Sequence, residues 1–348
     1  MTTSTPTTTT TKSQPSKLSI IGIILQGRAF FALIAIIITF SLLSPNYFTL
    51  SNFLIMAAHV AIYGLLAIGM LLVILNGGID LSVGSVLALC GVFAGFLMEG
   101  VRLKWFGVIL YEPVWAVAIL TCLLGALVGA VNGVLIAYLR VPAFVATLGV
   151  MYVARGIALL VTNGLTYNNL GGKTELGNIG FDWLGFNRLF NVPIGVVILA
   201  VLAVVTGIVL SRTAFGRWLY ASGGNMRAAE LSGVPVKRVQ VTVFVISGIC
   251  AAIAGLVLSS QLTSAGPTAG QAYELTAIAA VVIGGAALSG GRGNIRDTML
   301  GAFVIGFLSD GLVIIGVSNY WQTVFTGAVI VLAVLLNSIQ YGGRTRSA

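Results

Sequence analysis

The chain has 348 residues, of which 58% are hydrophobic and only 8% charged, with a mean hydropathy of +1.05. A soluble domain is about one-quarter charged and covers its surface with polar groups; this composition excludes a water-soluble fold and makes lipid the expected solvent. The net charge of +9 does not mark a nucleic-acid binder, because the lysines and arginines sort by membrane side, as set out below.

Residues 1–18, MTTSTPTTTTTKSQPSKL, are Thr-rich and without apolar period, and read as a disordered cytoplasmic tail. They are not a signal peptide, since no small-residue cleavage pattern follows the first apolar run and more spans come after it. Apolar runs then occur at 29–44, 55–75, 83–98, 114–138, 144–162, 193–211, 241–260, 274–289, 298–316 and 321–340. Barrel strands alternate apolar and polar over about 10 residues, whereas these runs are continuous over roughly 20, so the expected fold is an all-α membrane protein of about ten transmembrane helices. The membrane domain is expected to fill 19–342, with a short cytoplasmic tail at 343–348.

Basic residues set the orientation. With the N-terminus in the cytoplasm, thirteen of the 18 lysines and arginines fall on the inner side. Four, Arg102, Lys104, Lys173 and Arg188, fall outside, and Arg155 lies within a span. Both termini are therefore expected inside. Two connections are long. Residues 163–192 lie outside and carry the turn signals Asn163-Gly164 and Gly171-Gly172; residues 212–240 lie inside, with five basic residues against Glu230 alone. The phosphate-binding pattern GxxxxGK[ST] does not occur, and no soluble catalytic domain has room. Cys90, Cys122 and Cys250 lie in apolar stretches without metal spacing and read as small buried hydrophobes; His59, the sole histidine, has no ligand cluster beside it. No cofactor is expected.

Asn76-Gly77-Gly78-Ile79-Asp80-Leu81-Ser82 separates the second and third runs. Gly77 and Gly78 can break the helix, and Asp80 or Ser82 can cap the next. The segment reads either as a capped turn or as polar lining of a transport route. Gly284 and Gly285, which can likewise break a helix, open a second stretch of the form G-G-x-x-L-S-x-G, either a parallel internal repeat or a coincidence of Gly-rich turns. In the inner connection, Asn225 is placed to cap a helix through Leu231 that Gly233 ends. So short a helix persists only when packed, and the connection reads as a docking surface rather than a loop that merely sets topology. Gly125, Gly129 and Gly133, four apart, share one helix face and predict close helix packing.

Gly77 to Ser85, Val141-Pro142-Ala143-Phe144-Val145-Ala146-Thr147-Leu148-Gly149, Gly216-Arg217 through Gly233, and Ala279 to Gly285 resemble, in order, the signature segments of ribose-type permeases. These are the monosaccharide branch of ABC importer membrane subunits, and the resemblance covers roughly residues 30–340. It implies a bacterial inner-membrane permease domain with four partners: an ABC ATPase subunit, a periplasmic sugar-binding protein, a second permease subunit and a sugar or polyol. It also implies that Gly216, Arg217, Gly223, Asn225, Ala228, Ala229 and Gly233 belong to the segment that couples to the ATPase. The Thr-rich tail departs from the family pattern.

Only Asp80, Arg155, Glu274 and Asp310 bring formal charge to the spans, where a central charge costs about 2.5–3.5 kcal/mol and so faces protein or a partner. Arg155 and Asp310 lie at similar depth with opposite sign, which predicts a pair acting as a gate or a structural tie. Uncharged candidates for the route are Asn132, Thr147, Gln261, Thr263 and Asn319, since a passing sugar needs weak neutral contacts. An amino-acid importer permease would need compensating charge, an ion-coupled transporter a proton relay, and a membrane enzyme a catalytic cluster; none of these is visible in the sequence.

Overall fold

The computed structural model describes residues 27–103 and 108–342. The tails expected at 1–18 and 343–348, and Lys104 of the outer charges, lie outside these residues. Helices α1 (Arg28–Leu43), α2 (Leu50–Leu75), α3 (Val83–Glu99), α4 (Val114–Ala137) and α5 (Ala143–Thr162) come first. The outer connection holds the four-residue α6 (Trp183–Phe186). Then follow α7 (Ile194–Arg212), α8 (Ala214–Gly224), α9 (Met226–Leu231), α10 (Val236–Leu262), α11 (Tyr273–Ile283), α12 (Ile295–Ile314) and α13 (Asn319–Gly342). The strands are short antiparallel pairs: β1 (Val101–Leu103) with β2 (Val108–Leu110), β3 (Tyr167–Asn168) with β6 (Ser264–Ala265), and β4 (Arg188–Leu189) with β5 (Val192–Pro193). Among the described residues, α2, α4, α5, α7, α10 and α12 are long and apolar enough to cross a membrane, α1, α3 and α11 are shorter apolar helices, and Tyr320–Leu332 of α13 is a further apolar stretch. The protein is a multi-pass helical membrane protein.

Helix α2 is the axis of the bundle. Its apolar stretch is 83% buried, against 22% for α4, α5 and α7, whose outward faces are left to lipid or to another chain. Helices α7, α10, α11 and α12 pack around α2, while α3 packs with α4, α5 and α10. The predicted glycine seam is present: a Cβ at Gly125, Gly129 or Gly133 would run into the backbone of α10 at Gly248, Phe244 and Val241. Small residues let two backbones approach where apolar side chains gain nothing over lipid.

The eighth run departs from expectation. Helix α11 has 11 residues and stops at Ile283, not 289. At 1.5 Å per residue it spans about 16 Å, half the hydrocarbon thickness. The Tyr273 ring lies 5.1 Å from that of Tyr63, midway along α2, and Glu274 abuts Gly84 in the first turn of α3. Helix α11 therefore starts inside the bundle, reached by a segment that runs inward from β6. Discontinuous helices of this kind occur near the routes of transporters.

Candidate functional site

Three groups of residues bring the singled-out positions together. The first is a backbone junction at one end of the bundle. Helices α2 and α11 end alike: Gly77 and Gly285 take φ of 83° and 91°. Gly78 N–H donates to Val73 O at 3.0 Å and Ala286 N–H to Val281 O at 3.2 Å. Each is the glycine stop that satisfies the last carbonyls of a helix. The two Gly-Gly turns adjoin, for Gly291 N–H donates to Leu75 O at 2.9 Å. Gly223, at the end of α8, lies against this bond; a Cβ there would meet Leu75 O and sit 2.7 Å from Gly291 N. Tyr220 Oη donates to Gly293 O at 2.8 Å, and burial raises its pKa.

Within the connection carrying Gly223, α9 is built as the sequence predicts. Asn225 Oδ1 accepts from Ala228 N–H at 3.0 Å, Ala229 is buried, and Gly233 at φ 82° ends α9. Gly216 packs on the Leu210 carbonyl, where its N–H meets the Thr213 side chain. Arg217 is exposed, and so are the apolar Trp218, Met226 and Leu231, the last at 76%.

The second group is a buried polar knot. Asp80 Oδ1 accepts from Ser82 N–H at 2.9 Å and Ser82 Oγ at 2.6 Å; its Oδ2 accepts from Ser247 Oγ of α10 at 2.9 Å. Asn132 Nδ2 of α4 donates to Ser82 Oγ at 2.9 Å, and Thr147 Oγ1 of α5 lies 3.2 Å from Ile79 O. Thus the turn after α2 is tied to three other helices. Asp80 braces the turn from inside, and the Ser82 side chain does not cap α3. Sequence reasoning missed Ser247; its only signal was a serine beside Gly248 in an apolar run.

The third group lies toward the other end. Arg155 Nη1 donates to Pro267 O at 2.6 Å and Ala269 O at 2.8 Å, holding the segment that leads into α11. Asp310 pairs instead with His59, Oδ1 to Nδ1 3.0 Å. The predicted Arg155–Asp310 pair is therefore not formed. Equal depth says nothing about direction around the bundle: α5 packs on α3 and α4, whereas α12 packs on α1, α2 and α11. Gln261 Nε2 reaches Ala58 O at 3.4 Å, and Thr263 ends α10 with φ 46°. Asn319 begins α13.

The His59–Asp310 contact joins α2 to α12, with side chains 49% and 16% exposed. A double-mutant cycle of His59→Phe and Asp310→Leu in thermal unfolding is expected to give a coupling of about 1 kcal/mol. Additive effects would show that the two side chains act independently.

Residues 52–334 match the family described as the permease component of the branched-chain amino acid transport system. The chain belongs to this family. Among curated relatives it is 41% identical to a ribose import permease protein of Escherichia coli (strain K12) over 315 residues, 90% of this chain and 94% of that one. It is also 41% identical over 327 residues to a ribose import permease protein of Bacillus subtilis (strain 168), covering 94% and 97%. A xylose transport system permease protein of Escherichia coli (strain K12) is 35% identical over 362 residues, covering 88% and 90%. No solved structure gives a significant match.

Proposed function

We propose that this chain is the membrane-spanning permease subunit of an ATP-driven ABC importer that moves a monosaccharide or related polyol across a bacterial inner membrane. About ten transmembrane segments, one of them formed by the half-length α11 together with the segment that runs inward before it, leave both termini in the cytoplasm. The pore is formed with a second permease subunit, the solute arrives from a periplasmic binding protein, and hydrolysis occurs in a separate ATPase chain. The observation that carries the reading is the 35–41% identity, along about nine-tenths of the chain, to ribose and xylose permeases.

The geometry supports the division of labour. The 212–240 segment exposes Trp218, Met226 and Leu231 outward, as a docking surface would, and backs onto the junction that ends α2 and α11. Asp80, Asn132 and Thr147 hold the helices next to that junction, and Arg155, Gln261 and Asp310 hold the far end. The family description favours a second reading, a branched-chain amino acid as solute. Such a solute brings an ammonium and a carboxylate, yet Arg155 is committed to backbone carbonyls and Asp310 to His59.

Uptake of labelled ribose, xylose and leucine by cells carrying the chain with its ATPase and binding-protein partners tests this. Pentose uptake is expected, lost on ATP depletion with ion gradients held. Leucine uptake instead rejects the sugar; uptake that survives ATP depletion rejects the importer. A cysteine at Ser232 in the same cells should react with impermeant reagent only after lysis, and reaction in intact cells reverses the orientation.

A further inference from the structure

A groove of about 1160 Å³ lies between α7 and α12, roofed by Tyr220 of α8. Its lower wall is membrane helix: Val204 and Ile208 point outward at 61% and 54% exposure. Between them Gly207 leaves the floor without a side chain, a Cβ there meeting only Ile295. Its upper end carries Arg212, the last residue of α7, and Arg296, the second of α12. Val204 to Arg212 is about 12 Å of helix, so the two guanidiniums sit where the apolar wall stops.

Both arginines are exposed, and among the described residues neither guanidinium forms an ion pair or a hydrogen bond. The one carboxylate in the groove, Asp297, is turned into the α12 cap. Its Oδ2 takes Asn294 Nδ2 at 2.6 Å, and its N–H donates to Asn294 Oδ1 at 2.9 Å. The Tyr220 hydroxyl is spent on Gly293 O. The polar end is thus cationic and unsatisfied, while the apolar end is open to the bilayer. A sugar would leave the wall unmatched, and a soluble anion would use only half the groove.

We propose that this groove binds an acidic phospholipid, its phosphate on Arg212 and Arg296 and an acyl chain along Val204, Gly207 and Ile208. Guanidinium groups recognise phosphate by paired N–H donation, and basic pockets between membrane helices at the bilayer boundary select anionic headgroups. The site opens on the outer face of α7 and α12, apart from the Asp80 knot, and touches the glycine junction only through Tyr220. Its occupant would brace α7 against α12 beneath the connection that carries α8, and this does not depend on the transported solute.

Native mass spectrometry of the purified full chain, titrated with phosphatidylglycerol or phosphatidylcholine of identical acyl chains, tests the assignment. Retention of phosphatidylglycerol is expected to exceed that of phosphatidylcholine by about tenfold. The preference should fall to about twofold or less in R212Q/R296Q, and should persist in R212K/R296K and in R238Q, which removes a basic residue elsewhere. Gel filtration of each variant as a single peak separates lost binding from lost folding. Equal retention of the two lipids, or an unchanged preference in R212Q/R296Q, overturns the proposal. So does equal thermal protection by inorganic phosphate alone, or efficient cross-linking between two copies through a cysteine at Ile208, which would place protein in the groove.

Discussion

Gly223→Ala is expected to abolish uptake, whereas Gly224→Ala, one residue on, should transport like the parent. The contrast follows from what a methyl group meets. At Gly223 it would land on Leu75 O and beside Gly291 N, the two ends of the hydrogen bond that joins the α2 and α11 turns. At Gly224 it meets nothing within 4 Å. Forcing a methyl into packed backbone costs about 1–3 kcal/mol, and opening the bond adds about 1 kcal/mol. That is a large fraction of the free energy available to hold one junction, but small beside the stability of a whole bundle. The Gly223→Ala protein should therefore still reach the membrane, with uptake down more than about tenfold. Ala229→Glu should behave alike for a different reason, since it places a carboxylate at a buried position of α9. Uptake assays paired with membrane immunoblots read the result. If Gly223→Ala and Gly224→Ala are indistinguishable, force from the ATPase does not pass through this contact.

Much of this arrangement can be read from the residues, and the failures share a cause. Asn225 and Gly233 bracket α9 because capping is local: the residues that satisfy a helix end lie within a few positions of it. Apolar runs locate helices because burying a backbone in lipid requires internal hydrogen bonding whatever the neighbours are. The run at 274–289 misled because Ala286, Ala287 and Leu288 continue the hydropathy past the break. Hydropathy does not register that Gly285 takes a left-handed φ to close the helix. The Arg155–Asp310 pairing failed because depth is a one-dimensional quantity, while a contact also needs both helices to turn the right faces toward each other. For the same reason His59 was passed over as a lone histidine, and Ser247 as one small residue in an apolar span. Each gains meaning from a partner at a sequence separation of 251 or 167 residues.

Asp80→Ala should be the most destabilising change in the polar knot. It removes the acceptor of three hydrogen bonds at once, from Ser82 N–H, Ser82 Oγ and Ser247 Oγ, in a place only 2% exposed. Each buried donor left without an acceptor costs about 1–3 kcal/mol, so a loss of about 3–5 kcal/mol is expected, with lower yield in the membrane. Asp80→Asn keeps the shape. Its amide oxygen can hold both Ser82 donors, and its amide nitrogen can donate to a Ser247 hydroxyl that rotates to accept. A loss of about 1 kcal/mol is expected there, similar to Ser247→Ala, which removes one bond. Thermal unfolding of the three variants in detergent orders them; Asp80→Ala no worse than Ser247→Ala would mean that the knot is not organised by the carboxylate. The position of the knot makes the result bear on transport as well. Residues 75–82 meet the Gly223 and Gly291 backbones at one end, through Leu75 O, and at the other are bonded through Asp80 and Ser82 to α10 and α4. A displacement of the 212–240 segment thus reaches the spanning helices through a short, doubly anchored stretch of chain. Asp80→Asn should keep that anchorage and most of the uptake, and Asp80→Ala should lose both together.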